Sequence, residues 1–227
     1  MAEILQLRHH TRTFAAMSNN SIANLMWRYA TKKFDPSRTL DKEHLNILKN
    51  AFNLTATSYG LQTIYLGIIE DKSKREKLVE LAYGQRQVLD SSHLLVIAYQ
   101  DKITDNDVDA LFDNIHDTRE TPESILAPYR KDLKIVMEKK TIEQQQEWSI
   151  RQAYIALGNL MTVCANERID CCPMEGFVRD KFDEVLGLDK INLKSVLLLP
   201  VGYRAKDDMF ADFKKVRKDL SDSIIDL

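Results

Sequence analysis

The chain has 227 residues, 44% of them hydrophobic, which is enough for one sizeable core, and we expect one. Its 32 basic and 34 acidic residues leave a formal net charge of -2, so no overall field favours nucleic acid or an anionic membrane. The cysteines Cys164, Cys171 and Cys172 form no CxxC pair, and we expect buried thiols in a reducing, cytoplasmic setting. Because the charges nearly balance, we expect any anion that this protein binds to be held by a local group of cations.

The N-terminal stretch, residues 1–16, lacks the long apolar core of a secretory signal. We therefore treat residues 1–20 as a tail and residues 21–227 as a single domain. That domain opens with an amphipathic helix over Ser21–Ala30, which Ser21 can cap. The residues expected on its buried face are Ile22, Leu25, Met26 and Tyr29.

Helices and strands then alternate along the chain. A second helix is predicted over Asp41–Asn53, and Thr55–Gly60 follows it as a loop rich in hydrogen-bonding groups. Buried strands are predicted over Thr63–Ile69 and His93–Tyr99, and the charged segment Lys72–Tyr83 between them is expected to be helical.

The segment from Asp105 to Lys140 is polar and helical in pattern, and Pro122 and Pro128 are expected to break it. We interpret residues 104–140 as an excursion from the core that could act as a lid or line a substrate channel.

The next helix is the most apolar of the chain, with no charged residue between Gln152 and Asn166. Apolar side chains cover every direction of its helical wheel, so we expect protein to enclose it on all sides. Gly158 indicates a point where another backbone comes close. The uncharged run is too short for a membrane span, and the polar residues Asn159 and Thr162 interrupt it.

After this helix, the order of elements completes an α+β fold. A helix over Phe177–Leu186 ends at Gly187, and the last strand spans Val196–Gly202. The charged tail from Lys206 to Leu227 has little to pack on in a monomer, so we expect it to lie across a partner chain. Few, continuously apolar strands separated by helices predict three layers, with the sheet covered on both faces.

Common catalytic and nucleotide-binding motifs are missing from the sequence. It contains no GxGxxG, no Walker lysine and no GxSxG, and its five histidines have no metal-ligand spacing. What remains is two basic pairs, Arg28 with Lys32 and Lys215 with Arg217. Four such cations can hold one phosphate, but solvated surface charge is the simpler interpretation of each pair alone.

A second feature is the segment Pro173–Gly176, in which proline and glycine stand three residues apart. The glycine permits a positive φ or lets a ligand approach bare backbone. An ordinary connection between helices would explain the same residues. Composition and spacing therefore leave the function undecided.

The order of five segments resembles the nitroreductase family, most closely its oxygen-insensitive group of FMN enzymes that use NADH or NADPH. The likeness extends from about residue 21 to about residue 218. The segments that carry it are Arg28–Asp35, Thr55–Gln62, Tyr83–Gln87 with Leu89–His93, Pro173–Phe177 and Lys215–Arg217.

The resemblance implies an intertwined homodimer with two FMN sites at the subunit interface and no metal. Arg28, Lys32, Lys215 and Arg217 would hold the phosphate and ribityl end, in a segment that includes Tyr29 and Ala30. Thr57, Ser58 and Gly60 would come from the other subunit, and Gln85 and Gln87 would face the pyrimidine edge. Along the isoalloxazine would lie Pro173, Met174, Glu175 and Gly176, with the backbone amide of Glu175 donating to flavin N5 and no catalytic side chain required.

The activity implied is two-electron, ping-pong reduction of nitroaromatics or quinones by NAD(P)H. Within the same fold, the acceptor could instead be a dihydropteridine, an enone or free flavin. Gln87 stands where some members carry lysine, and this departure bears on the choice of acceptor; Ala30 stands where serine is common, which removes a hydroxyl from the phosphate side. A different class, a non-catalytic helical dimer with solvated basic pairs, also fits the residues.

Overall fold

The computed structural model describes residues 20–227. The expected tail falls almost wholly on residues 1–19, which lie outside the described range, and residue 20 is already helical. The helices are α1 (20–27), α2 (Lys42–Asn53), α3 (Lys72–Val79), α4 (Gln87–Asp90), α5 (Asp105–Arg119), α6 (Glu123–Glu138), α7 (Ile142–Asn166), α8 (Arg179–Leu186) and α9 (Leu220–Ser223). The strands are β1 (Ile64–Ile69), β2 (His93–Gln100), β3 (Asp170–Cys171) and β4 (Leu193–Gly202).

The four strands form one antiparallel sheet in the order β1-β2-β4-β3. The two central strands are buried almost throughout, which explains their continuous apolar sequence. β4 begins at Leu193, three residues before the predicted start, because Ser195 pairs with Ala98 and bonds through its hydroxyl to the buried Asp183 at 2.5 Å. The sequence did not predict this extension, because the polar residues Lys194 and Ser195 interrupt the apolar pattern of the strand.

Helices cover both faces of the sheet, which confirms the predicted three-layer α+β fold. On one face, α2 and α7 pack on side chains such as Leu95, Ile97 and Leu197. On the other face, Leu94, Val96 and Leu198 pack in one cluster with residues of α3 and α8, among them Leu78 and Phe182. Successive residues of β2 and β4 therefore alternate between two apolar layers.

The buried face predicted for the first helix is wrong for the single chain. Ile22 and Met26 are 63% and 61% exposed, whereas Asn24 is buried and donates through its side-chain amide to Asn166 Oδ1 at 2.9 Å. Helix α1 therefore contacts the end of α7 through a polar pair, and its apolar side chains face outward. Ser21 lies inside the helix and is not its cap.

The excursion is broken at Pro122, as predicted, but not at Pro128, which lies inside α6. The interior position is tolerated because α5 and α6 share a small core of their own, built on Phe112, Leu126 and Leu133. Arg130 also joins the two helices, since it bonds to Asp113 at 2.8 Å.

Helix α7 is enclosed on one side only within the chain. Ala153, Ala156 and Leu160 are fully buried, but Tyr154 and Ile155 are 40% and 51% exposed. Gly158 has open space where a Cβ would stand, so the backbone approach that we expected there is not made by this chain. None of the helices within residues 20–227 is long and apolar enough to cross a membrane.

Candidate functional site

A cavity of about 650 Å³ lies between the end of α1 and the segment after β4. Its volume is in the range of small-molecule and cofactor pockets. Seven of the predicted site residues line it: Arg28, Tyr29, Ala30, Lys32, Pro173, Lys215 and Arg217. The fold therefore brings together the two basic pairs, which are nearly 190 residues apart in sequence.

The segment that follows α1 is fixed to the edge of the sheet. Ala30 forms a parallel bridge with Cys171, and Thr31 N–H donates to Cys171 O at 3.2 Å. Beyond β3 the chain continues beside β4, where Met174 and Leu198 exchange two backbone hydrogen bonds of 2.9 and 3.0 Å. Pro173 stands between these anchors and forms part of the cavity wall.

The C-terminal segment is anchored to the same region. Phe34 forms an antiparallel bridge with Arg204, and Asp35 N–H donates to Tyr203 O at 2.9 Å. Lys215 donates from its ammonium to Arg28 O, which places the third cation directly beside the first. Backbone hydrogen bonds between distant segments thus determine where the basic side chains lie.

These cations have no acidic partners. Across residues 20–227, no carboxylate oxygen lies within 4.0 Å of a side-chain nitrogen of Arg28, Lys32, Lys215 or Arg217. The Nε of Arg28 is buried and has no hydrogen-bond partner among the described residues. Burial, together with the charges of Arg28 and Arg217, lowers the pKa of Lys215. A group of like charges with an unused buried donor fits an anion such as a phosphate.

Aromatic side chains form another part of the wall, which also includes Lys214. Trp27 lies between two guanidinium groups, with its ring centroid 4.9 Å from Cζ of Arg168 and 4.4 Å from Cζ of Arg204. Phe210 and Phe213 contact each other with their ring planes tilted by 59° and their centroids 5.3 Å apart. The cavity therefore combines cations with flat apolar surfaces, which suits a ligand that carries both a phosphate and a ring system.

The predicted residues beyond Pro173 lead away from this cavity. Met174 is buried, with its side chain in the core, whereas Glu175 and Gly176 are exposed. Gln85 Nε2 donates to Gly176 O at 2.9 Å and to Ala82 O at 3.0 Å, which holds the Pro173–Gly176 segment in place. Gln87 is buried in α4 and does not line the cavity.

The loop that carries Thr57, Ser58 and Gly60 lies elsewhere in the chain. Ser58 N–H donates to Gln152 Oε1 at 2.9 Å, and Gly60 has a φ of +69°. Gly60 lines a separate cavity of about 200 Å³ beside α5. One chain therefore does not bring these three residues to the cation cavity, and their assignment to a partner subunit's site stays a prediction.

Sequence analysis missed four residues of the region: Trp27, Asp208, Phe210 and Phe213. Phe210 and Phe213 gave no signal because they interrupt a charged tail without period, and Trp27 lies in α1 outside the face predicted to be buried. Asp208 stands in the run Lys206-Asp207-Asp208, where charge predicts a solvated surface, yet it is buried. Only its position before the short 3₁₀ turn Met209–Asp212 could have suggested a capping acid.

Other candidate chemistries find no support. Residues 20–227 contain no group of three or more metal-ligating side chains. The three cysteines are free and buried, as expected, and burial raises the pKa of Cys172 to about 11. The Cys172 thiol is therefore protonated and not nucleophilic at neutral pH.

Comparison with known proteins agrees with the fold and with the resemblance to the nitroreductase family. A Staphylococcus epidermidis protein named as a proposed NAD(P)H nitroreductase is 29% identical over 216 residues, which cover 92% of this chain and 97% of that protein. The crystal structure of ydfN from Bacillus subtilis, named as a proposed nitroreductase, superposes with a TM-score of 0.81 at 19% identity, covering 91% of this chain and 98% of that one.

A proposed nitroreductase from Exiguobacterium sibiricum, solved in complex with FMN, has a TM-score of 0.78 at 20% identity and covers 90% of this chain and 95% of its own. The model of the nitroreductase family matches residues 25–203. This match includes every strand of the sheet and the whole of α7, and the chain belongs to the nitroreductase family.

Proposed function

We propose that this protein is an FMN-dependent oxidoreductase that takes electrons from NADH or NADPH and reduces nitroaromatics or quinones in two-electron, ping-pong steps. The observation that carries the proposal is the meeting of Arg28, Lys32, Lys215 and Arg217 at one cavity without acidic partners. The relative named for NAD(P)H nitroreductase activity and the structural neighbour that contains FMN support the same cofactor and reductant.

The cations are suited to the phosphate of FMN. Arg28 and Arg217 offer planar forks that can bind two phosphate oxygens each, and the two lysines add point charges. Arg28 is half-buried whereas Arg217 is exposed, so the interaction of Arg28 with an anion is the less screened of the two. Ala30 brings no hydroxyl to this wall, where a serine is common in the family.

The Pro173–Gly176 segment is suited to the ring system. Neither Glu175 N–H nor Gly176 N–H donates a hydrogen bond within the described residues, although both belong to a segment that Met174 anchors to the sheet. An exposed, fixed amide is a ready donor, which supports the assignment of Glu175 N–H to flavin N5. When bound, FMN would supply the hydride chemistry, so these residues need only bind, orient and exclude water.

The remaining residues of the proposed site require a second subunit. Gln85 contacts the Pro173–Gly176 segment, but Thr57, Ser58 and Gly60 do not reach the cavity in one chain. Exposed apolar side chains on α1, on α7 and along the tail offer the surface on which a second copy would pack. We therefore propose a homodimer in which this loop completes the partner subunit's site.

The test is anaerobic reduction of the protein after it is loaded with FMN. Addition of NADH or NADPH should bleach the visible flavin absorbance, and a nitroaromatic or a quinone should restore it in a second step. A panel that also contains an enone, a dihydropteridine and free flavin would identify the preferred acceptor. A protein that takes up no FMN, or whose bound FMN neither nicotinamide reduces, contradicts the proposal and favours a non-catalytic dimer.

A further inference from the structure

The carboxylate of Asp208 is only 4% exposed and accepts hydrogen bonds from several directions. Its Oδ2 accepts from the Tyr29 hydroxyl at 2.8 Å, from Lys32 N–H at 3.0 Å and from Lys33 N–H at 3.1 Å. Its Oδ1 accepts from Phe210 N–H at 3.2 Å. The buried charge is thus solvated by donors of the protein itself, as a buried carboxylate requires.

These donors belong to two segments that are distant in sequence. Tyr29 and Lys32 are part of the segment that carries Arg28, more than 170 residues before Asp208. Phe210 lies in the short turn Met209–Asp212, after which the chain continues to Lys215 and Arg217. One carboxylate therefore joins the two halves of the cation cavity.

Electrostatics alone does not explain an acid at this place. A buried negative charge behind a phosphate site repels the phosphate, so Coulomb interaction by itself would make Asp208 unfavourable for binding. Burial would raise the pKa of the Asp208 carboxyl, but the hydrogen bonds from Lys33, Tyr29, Lys32 and Phe210 outweigh it and the pKa lies below the ordinary value. Burial, then the bond to Asp208, raises the pKa of Tyr29, which keeps its hydroxyl a donor at neutral pH.

We infer that Asp208 is a positioning residue for flavin binding, which holds the Arg28 and Lys215–Arg217 segments at the separation that one phosphate requires. This inference rests on the proposed function, because it takes the cation cavity to be the phosphate site. Asp208 itself contacts no ligand: its effect passes through the backbone amides of Lys32 and Lys33 and the Tyr29 hydroxyl. Lost positioning weakens phosphate binding, whereas loss of the charge alone would strengthen it, so the two roles predict opposite signs.

The experiment measures the dissociation constants of FMN and of riboflavin, which lacks the phosphate, by quenching of flavin fluorescence on apoprotein. Asp208→Asn keeps the shape of the side chain and removes its charge. Its NH₂ group then faces either the three donors at the Oδ2 position or Phe210 N–H at the Oδ1 position. We expect it to reduce the preference for FMN over riboflavin roughly tenfold or more, the scale of one hydrogen bond to a charged group. Asp207→Asn is the matched control, because Asp207 is the preceding residue but pairs with Lys33 on the exposed surface.

A general loosening of the fold would weaken both flavins and lower the melting temperature, whereas the positioning role changes the FMN constant while riboflavin affinity holds. Tyr29→Phe removes one of the hydrogen bonds to Asp208 and keeps the ring, so it should reduce the preference for FMN by a smaller factor. If Asp208→Asn does not fold, this variant tests the positioning role in its place. An unchanged or increased preference for FMN in either folded variant overturns the inference. If the unmodified protein itself shows no preference for FMN, the proposed phosphate site fails instead.

Discussion

Two arginine environments in this protein differ in how their charge is satisfied. Arg75 is 1% exposed, and its guanidinium donates to backbone carbonyls: Leu89 O at 2.9 Å, Ser91 O at 2.6 Å and Glu70 O at 3.0 Å. Arg28 lines the cation cavity, where no oxygen of the described residues accepts a hydrogen bond from its guanidinium and the neighbouring cavity charges are also positive.

The difference separates a structural cation from a binding one. Around Arg75 backbone carbonyls accept hydrogen bonds from both terminal nitrogens of the guanidinium, so the charge ties α3 to the turn before β2. Around Arg28 the protein supplies further donors, an arrangement that costs free energy unless an anion binds. Burial alone therefore does not identify a functional arginine, but burial without acceptors does.

The largest effect is expected from Arg75→Met. It removes the cation but leaves at least three buried carbonyl oxygens without donors, so we expect the free energy of unfolding to fall by about 3 kcal/mol or more. Chemical denaturation measures this change. If Arg75 is only structural, the folded fraction of the variant still binds FMN normally. A selective loss of FMN affinity with unchanged stability would contradict this difference between Arg75 and Arg28.

The opposite pattern is expected from Arg28→Ala and Arg217→Ala. Each should raise the FMN dissociation constant roughly 10- to 100-fold, because a hydrogen bond to a charged group is lost, and should leave stability unchanged or higher, since like charges are removed. Fluorescence titration and a thermal melt measure the two quantities. Lys218→Ala removes a charge from the next position of the same tail but does not line the cavity, so its FMN affinity should match that of the unmodified protein.

A third buried group, His93, extends the comparison to a side chain whose charged form is disfavoured in the folded protein. Ser92 Oγ accepts from Leu40 N–H at 2.7 Å and lies 2.9 Å from His93 Nδ1, so the hydroxyl proton is free to donate to a neutral imidazole. Burial lowers the pKa of His93. Below pH 6.5, the ordinary histidine value, the unfolded chain therefore binds more protons than the folded one until the folded pKa is reached.

The free energy of unfolding should consequently decrease as pH falls through this window, by less than the loss in Arg75→Met. Denaturation at a series of pH values from about 7.5 down to about 5 measures the slope. His93→Gln should flatten it. An equally steep slope in this variant would mean that the imidazole is not the responsible group.

The smallest effect is expected from salt. Because the cavity is open to solvent and Lys32 and Arg217 are exposed, raising the ionic strength from about 0.1 to about 1 M shortens the screening length from about 10 to about 3 Å. FMN should then bind a few-fold more weakly, while riboflavin should not. Equal sensitivity of the two flavins would show that the phosphate gains nothing from the cations.

The sequence predicted the three layers of the fold and the two basic pairs that line the cavity, for identifiable reasons. The strands β2 and β4 are continuously apolar because both of their faces are buried, and the basic pairs were recognisable because their order along the chain resembled a family. The outward apolar face of α1 was not predictable, since the pattern that marks burial does not say which chain supplies the cover. Pro128 was misjudged because the packing of α5 on α6 outweighs a missing backbone donor.

Asp208 was missed because the same run of charged letters describes a solvated turn and a buried acid. What distinguishes the two is the supply of donors from Tyr29, Lys32 and Lys33, which only the tertiary fold brings within reach. Thr57 and Gly60 illustrate the complementary limit: they do not reach the cation cavity in one chain, and the proposal that they complete a site requires a second chain.

The central claim is that the phosphate of FMN is bound by the cations at the cavity, and phosphorus NMR of the FMN-loaded protein tests it most directly. A free phosphate monoester loses its second proton near pH 6, so its resonance shifts through that range. If Arg28, Lys32, Lys215 and Arg217 surround the phosphate, they favour the dianion, and the bound resonance should stay at the dianion position down to about pH 5. A bound signal that titrates like free FMN would place the phosphate in solvent and contradict the account.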